Sequence, residues 1–161
     1  MSDEAFKAKE WLSRTFALYD EIEAEKRTLG IIKLKLNSGV RNYESITRNN
    51  DVENSIRWHE DLLLEYTLQN ERVEKAKQKL FRELELTRTV IDKVKKPLYR
   101  AIATDRYINA LNWNEMNKAY DYSSSKMYRE HIKTLEAIGR ILTASDTTTQ
   151  NDIIKSQRIE A

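Results

Sequence analysis

Apolar residues recur at three- and four-residue steps along most of this chain, a spacing that predicts helices rather than strands. From Asp3 to about Leu29, the residues Ala5, Ala8, Leu12, Thr15, Tyr19, Ile22 and Leu29 fall on one stripe. Ser2 or Asp3 can cap that helix, and Gly30 stands where a left-handed residue commonly closes one. Phe6, Trp11, Phe16 and Leu18 widen the stripe, so the helix is expected to pack against more than one neighbour. Between Gly30 and Asn50 the period breaks. Ile31 to Leu36 alternates as a strand would but has no second strand to pair with, and Asn37-Ser38-Gly39 is a turn signal, so the segment reads as a connector.

From Val52 a single register is held for a long way. Val52, Ile56, His59, Leu63, Tyr66, Asn70, Val73, Lys77, Leu80, Leu84, Thr87, Ile91 and Val94 alternate in steps of four and three, the seam of a coiled coil. A helix of that length spans roughly 65 Å and must cover its stripe with the first helix, another copy, or both. Asn70 is either a polar seam residue that fixes register or an Asn at the stripe's edge. Pro97 closes this helix by pushing Lys96 out of helical backbone. Three shorter helices follow, at Leu98–Ala110, Trp113–Tyr120 and Ser124–Leu142. The Thr-rich run after Leu142 has no apolar period and reads as a flexible tail. The expected protein is all-α. Residues 1–96 form a helical hairpin or coiled coil for oligomerisation or partner binding, 97–142 a small three-helix domain, and 143–161 the tail.

Composition agrees with long helices and few turns. The chain of 161 residues has only three glycines and one proline, and 34 % of it is charged. With no cysteine, disulfides and thiolate metal sites are excluded. The charged N-terminus offers no apolar signal region, and no apolar run approaches the length of a membrane span. The formal charge of +2 hides an asymmetry. Residues 88–142 carry 11 Lys/Arg against 6 Asp/Glu, whereas residues 1–87 carry 15 against 17. Positive charge thus gathers on the short-helix segment, where it would attract phosphate.

Catalytic chemistry is not apparent. His59 lies in the coiled-coil seam and reads as a packed residue; His131 reads as a phosphate contact or a plain surface residue. The two lack metal-site spacing, and no glycine-rich loop could cradle a nucleotide. The carboxylates sit beside Lys and Arg as on ordinary solvated helices. No enzyme activity, metal or cofactor is expected.

The segment 98–142 instead has the form of a helix-turn-helix. Ser123 can cap its last helix. Ser124, Ser125, Lys126, Tyr128, Arg129 and Lys133 project opposite or beside Met127, and hydroxyls, a lysine and an arginine at a helix's N-terminal end suit the major groove. On spacing alone, a helical subdomain with a solvated polar face fits equally well.

The stretch PLYRAIATDRYINALNWNEMNKAYDYSSSKMYREHIKTLEAI resembles sigma-factor region four and its bacteriophage relatives. The shared pattern is Arg106-Tyr107 ending the first helix, Trp113 to Met116 opening the second, the Ser123 cap, the step to Met127, and Leu135. The run Tyr128-Arg129-Glu130-His131 is similar to a narrower group, phage-encoded late-gene transcription regulators of the ArpU and RinA type. The sequence departs from the pattern at Asn117 and Lys118, where alanine is commoner, and at Asp121-Tyr122, which replaces the usual Gly-apolar pair. The resemblance implies a sequence-specific regulator of phage or prophage late genes, acting as an activator at a promoter in the bacterial cytoplasm. Ser125, Lys126, Tyr128 and Arg129 would face double-stranded DNA, with Ser124 and Lys133 added from helix geometry. RNA polymerase is an expected contact, and a homo-oligomer, with a dimer favoured, the expected assembly. Two other readings stay open: a small terminase subunit that recognises packaging DNA, and a coiled-coil scaffold that binds only protein.

Overall fold

A computed structural model describes the backbone of residues 1–43 and 49–159 and the side chains of residues 1–38 and 53–146. The fold is all-α: α1 (Asp3–Tyr43), α2 (Asn49–Asp92), α3 (Pro97–Ala103) running into a π turn (Thr104–Ile108), α4 (Trp113–Tyr120) and α5 (Ser124–Ile159). Among the described residues there is no strand, and no helix is long and apolar enough to cross a membrane. The chain divides into two compact units, one of Ala17–Phe81 and one combining Met1–Phe16 with Arg82–Ala161.

In the first unit, Leu18, Ile22 and Ile32 of α1 and Leu62, Val73 and Leu80 of α2 are buried. The helix break expected at Gly30 and the connector after it are corrected: α1 runs on to Tyr43. Gly30 has no positive φ and open space around its Cα, so it marks neither a turn nor a close approach. A helical glycine costs about 1 kcal/mol. Burying Ile32, which is 2 % exposed, returns about 2 kcal/mol. The apparent strand alternation is therefore the continuation of a helical stripe.

The seam of α2 also differs in part. The side chain of Val52 lies outside the described residues and Ile56 is exposed. His59, Tyr66, Val73, Leu80, Leu84, Thr87, Ile91 and Val94 do face inward, but Leu63, Asn70 and Lys77 are exposed. Their places are taken by Leu62, Gln69 and Ala76, one residue earlier. Both choices satisfy a four-three alternation, and the two registers coincide again from Leu80 because Ala76, Leu80 and Leu84 make two successive four-residue steps. The polar seam residue is consequently Gln69, whose amide donates to the Glu25 carbonyl at 3.0 Å and to the Glu25 carboxylate. A buried amide paired to both backbone and side chain fixes one register at little desolvation cost.

The second unit is assembled from both ends of the sequence. Ala5, Ala8 and Leu12 of α1 share one core with Ile91 and Val94 of α2, Ala103, Tyr107 and Ile108, and Leu135 and Ile138 of α5. The boundary expected between residues 96 and 97 is thus not where the packing divides. The physical reason is size: three short helices bury too little apolar surface alone, and the alanines of α1 let another helix come close. The approach is close at Gly139, where an added Cβ would lie 2.3 Å from the Glu4 carbonyl oxygen. Arg14 ties the same turn of α1 to α2, with Nε 2.7 Å from Glu83 Oε2 and Nη2 3.4 Å from Thr87 Oγ1. After α2, Lys96 takes extended backbone (φ −79°, ψ 118°) before Pro97 at the start of α3. Arg100 Nη1 satisfies the turn by donating to the carbonyls of Val94 (2.7 Å) and Lys95 (3.0 Å). Residues 143–159, expected as a flexible tail, continue α5 as helix.

Candidate nucleic-acid interface

The short helices are held by a sequence of local devices that the chain spells out. The π turn lets Asn109 N–H reach the Thr104 carbonyl (2.9 Å) and is followed by Ala110 in left-handed backbone (φ 56°). Arg106 Nη1 donates to the Leu111 carbonyl at 2.7 Å, bracing that exit. Asn112 then starts α4 with a capping box: Glu115 N–H donates to Asn112 Oδ1 (3.0 Å), and Asn112 N–H donates to Glu115 Oε2 (2.7 Å). At the far end of α4, Tyr120 Oη donates to Asp105 Oδ2 (2.8 Å), and burial with that carboxylate raises the phenol's pKa.

The turn between α4 and α5 is made at Asp121, which adopts left-handed backbone (φ 51°, ψ 46°) in place of a glycine. Tyr122 N–H donates to the Asn117 carbonyl at 3.0 Å, as in a Schellman closure. Ser123 caps α5, its Oγ accepting from Lys126 N–H at 3.2 Å. Ile102, Met116 and Met127 form the small core beneath, flanked by Leu98, Leu111, Tyr120 and Tyr122. With Met127 and Leu135 locked inward, the outward face of α5 is determined.

All six residues singled out for DNA contact are exposed. Ser125, Arg129 and Lys133 lie along the side of α5 opposite Leu135 and Ile138. Lys126 flanks that line, its ammonium 3.8 Å from the centre of the Tyr122 ring. Lys133 Nζ pairs with Glu130 Oε1 at 3.0 Å, a partnership that raises the lysine's pKa and keeps it cationic. Tyr128, 61 % exposed, sits on the edge of this face. Ser124 is engaged differently, accepting from Asn117 Nδ2 at 3.0 Å and thereby tying α5 to α4.

Four of the six, Ser124, Ser125, Tyr128 and Arg129, line one open groove of about 570 Å³ together with Trp113, Asn114 and Asn117 of α4. Asn117 Oδ1 is buried there and lacks a hydrogen-bond partner, leaving an acceptor beside the groove. The spacing of residues on α5 does not by itself point to this contribution from α4. The Asn112-x-x-Glu115 box is the signal that could: it fixes where α4 begins and hence which way Trp113 and Asn114 project.

His131 is not on this surface. It is 3 % exposed, with Nε2 2.8 Å from Tyr107 Oη, and its ring meets Trp113 edge-on (4.8 Å between centroids). The expected phosphate contact or surface role is therefore corrected: His131 is a core residue. The reason is α1, whose N-terminal turns cover a side of α5 that would be open in a free-standing three-helix domain. Burial, then the charges of Arg106 and Lys9, pull the His131 pKa down to about 4, while burial pushes the Tyr107 phenol up to about 12.

Chemically, the exposed face combines two lysines, an arginine, hydroxyls and an aromatic edge on the first turns of a helix. Such a face can bind phosphate oxygens and hydrogen-bond base edges. Among the described residues no group of His, Asp and Glu is placed to hold a metal ion. No protein-family model matches the chain, and comparison with curated proteins and with solved structures returns no match.

Proposed function

We propose that the chain is a sequence-specific DNA-binding transcription regulator in which α5 enters the major groove and α4 lies across its edge. The observation that carries this reading is the two-sidedness of α5. Met127, His131 and Leu135 hold one side rigidly in the core, while Ser125, Lys126, Arg129 and Lys133 stand exposed within its first three turns. Base readout requires side chains held on a rigid element that fits the groove, and a capped helix fixed by an αL turn provides that. Arg129 is assigned to a guanine edge, Ser125 to a neighbouring base edge, and Lys126 and Lys133 to phosphates. The resemblance to sigma-factor region four and to ArpU- and RinA-type regulators points the same way, toward activation of phage or prophage late genes with RNA polymerase as a partner. Self-association, with a dimer favoured, is supported by apolar side chains that α2 leaves exposed, Leu64 (60 %) and Leu68 (50 %) among them.

The test is selection of bound sequences from randomised duplexes, followed by competition binding with the recovered site at several salt concentrations. Affinity falls steeply with salt as phosphate contacts release counterions. Arg129→Ala lowers the preference for the selected site over random DNA by about tenfold, the size of one lost bidentate base contact. Unchanged discrimination by that variant refutes the assignment, and no DNA affinity at low salt leaves a protein-only scaffold. Light scattering separates a dimeric regulator from a ring-forming terminase subunit of eight or more copies.

A further inference from the structure

A second cavity, of about 320 Å³, lies on the other side of Trp113 and Tyr128, between the N-terminal turns of α1, the π turn, α4 and α5. Beside the aliphatic Met1, Ile132 and Leu135, its walls carry two kinds of recognition group. Phe16, Trp113 and Tyr128 supply aromatic surface, and Lys9, Ser13 and Arg106 supply cations and a hydroxyl. Arg106 is held in place: Nη1 is fixed on the Leu111 carbonyl, and the guanidinium carbon lies 4.6 Å from the Trp113 ring centre and 5.0 Å from that of Phe16.

The charges in this cavity are unbalanced. No aspartate or glutamate lines it. Among the described residues, neither Lys9 nor Arg106 forms an ion pair, so no carboxylate neutralises either cation at the cavity. The field of the two cations is felt inside, since both disfavour a proton on His131. Two unpaired cations lining one concave site, with aromatic walls, form an arrangement that favours an anion with a flat apolar body. The volume is at the small end of ligand cavities and suits one or two fused rings with a single acidic group.

We infer that this cavity is a binding site for a small aromatic carboxylate, its carboxylate held by Arg106 and Lys9 with Ser13, its ring lying among Phe16, Trp113 and Tyr128. Arg106 offers the nitrogens not used by Leu111, Lys9 an ammonium, and Ser13 a hydroxyl donor. The inference does not rest on the function proposed above, although Trp113 and Tyr128 are walls shared with the groove on the other side.

The test uses the full chain, labelled with nitrogen-15, and the probe 2-naphthoate, with neutral 2-naphthamide as its isostere. The chain has three tryptophans, each giving one indole N–H signal, and only Trp113 lines the cavity. Naphthoate is expected to shift the Trp113 signal saturably and leave that of Trp58 in place, with naphthamide binding at least about tenfold more weakly. Lys9 is exposed, so Lys9→Gln should fold as the parent does; it should weaken naphthoate by about tenfold and leave naphthamide unchanged. Ser13→Ala is the second variant and should weaken naphthoate in the same direction. Equal binding of acid and amide, naphthoate affinity unaltered in both variants, or shifts at Trp58 equal to those at Trp113 would overturn the assignment, as would no saturable shift at millimolar probe.

Discussion

His131 gives the fold a dependence on acidity that can be separated from every other titrating group. Its folded pKa of about 4 lies below the ordinary value of 6.5, so the unfolded chain binds the extra proton first. Between those values the unfolded state holds more protons, and stability therefore falls as pH falls from about 6.5 toward 4. Every tenfold difference in proton affinity between the two states is worth about 1.4 kcal/mol, so the full effect is about 3 kcal/mol, of which about 2 kcal/mol is lost between pH 7 and pH 5. The perturbation is His131→Gln, which keeps a polar group near Tyr107 Oη but cannot titrate. Urea unfolding of both proteins at pH 7, 6 and 5 yields their stability difference at each pH. The variant begins less stable, and the gap narrows by about 2 kcal/mol by pH 5, since carboxylate effects common to both cancel. A gap that stays constant with pH would show that His131 is not held neutral by burial beside Arg106 and Lys9.

Other consequences are equally open to measurement. Asp121→Gly should stabilise the protein by about 0.5–1 kcal/mol in thermal unfolding, because left-handed backbone is costly for any residue with a Cβ; a loss of stability would mean the Asp side chain supports the turn. Gly139→Ala should destabilise by about 2 kcal/mol, since the new methyl meets the backbone of Glu4 and not a flexible side chain. Full tolerance of that change would argue against α1 docking on α5. A fragment of residues 97–142 should show little cooperative unfolding by circular dichroism, and adding residues 1–16 and 82–96 should restore it; a cooperatively folding fragment would contradict the shared core.

Local features are legible in the sequence and remote packing is not. Pro97, the Ser123 cap and the apolar spacing of Met116, Met127 and Leu135 each act within a few residues, and the short helices follow from them. The six exposed residues of α5 are recognisable because Met127 sets the phase of that helix. Gly30 misleads because a helix-breaking signal counts only when burial nearby is too weak to outweigh it, and Ile32 outweighs it. Of the two readings of Asn70, the edge of the stripe is the one observed. The sequence leaves both open because two registers one residue apart fit the same heptad, and only the partner helix, through Glu25 and Gln69, chooses between them. His131 cannot be placed at all without knowing that Ala5, Ala8 and Leu12 return to cover α5. No local pattern encodes that.

That return has a consequence for how the protein is made. Ala5, Ala8 and Leu12 leave the ribosome long before Leu135 and Ile138, which complete the same core. At about 5–20 residues per second, the interval is on the order of ten seconds. Throughout it, the first turns of α1 carry an apolar stripe whose last neighbour has not been synthesised. The helix that bears Arg129 is likewise without its full support until the earliest and latest segments meet. If α5 reads DNA as proposed, a nascent chain, or one truncated before Ile138, is silent there.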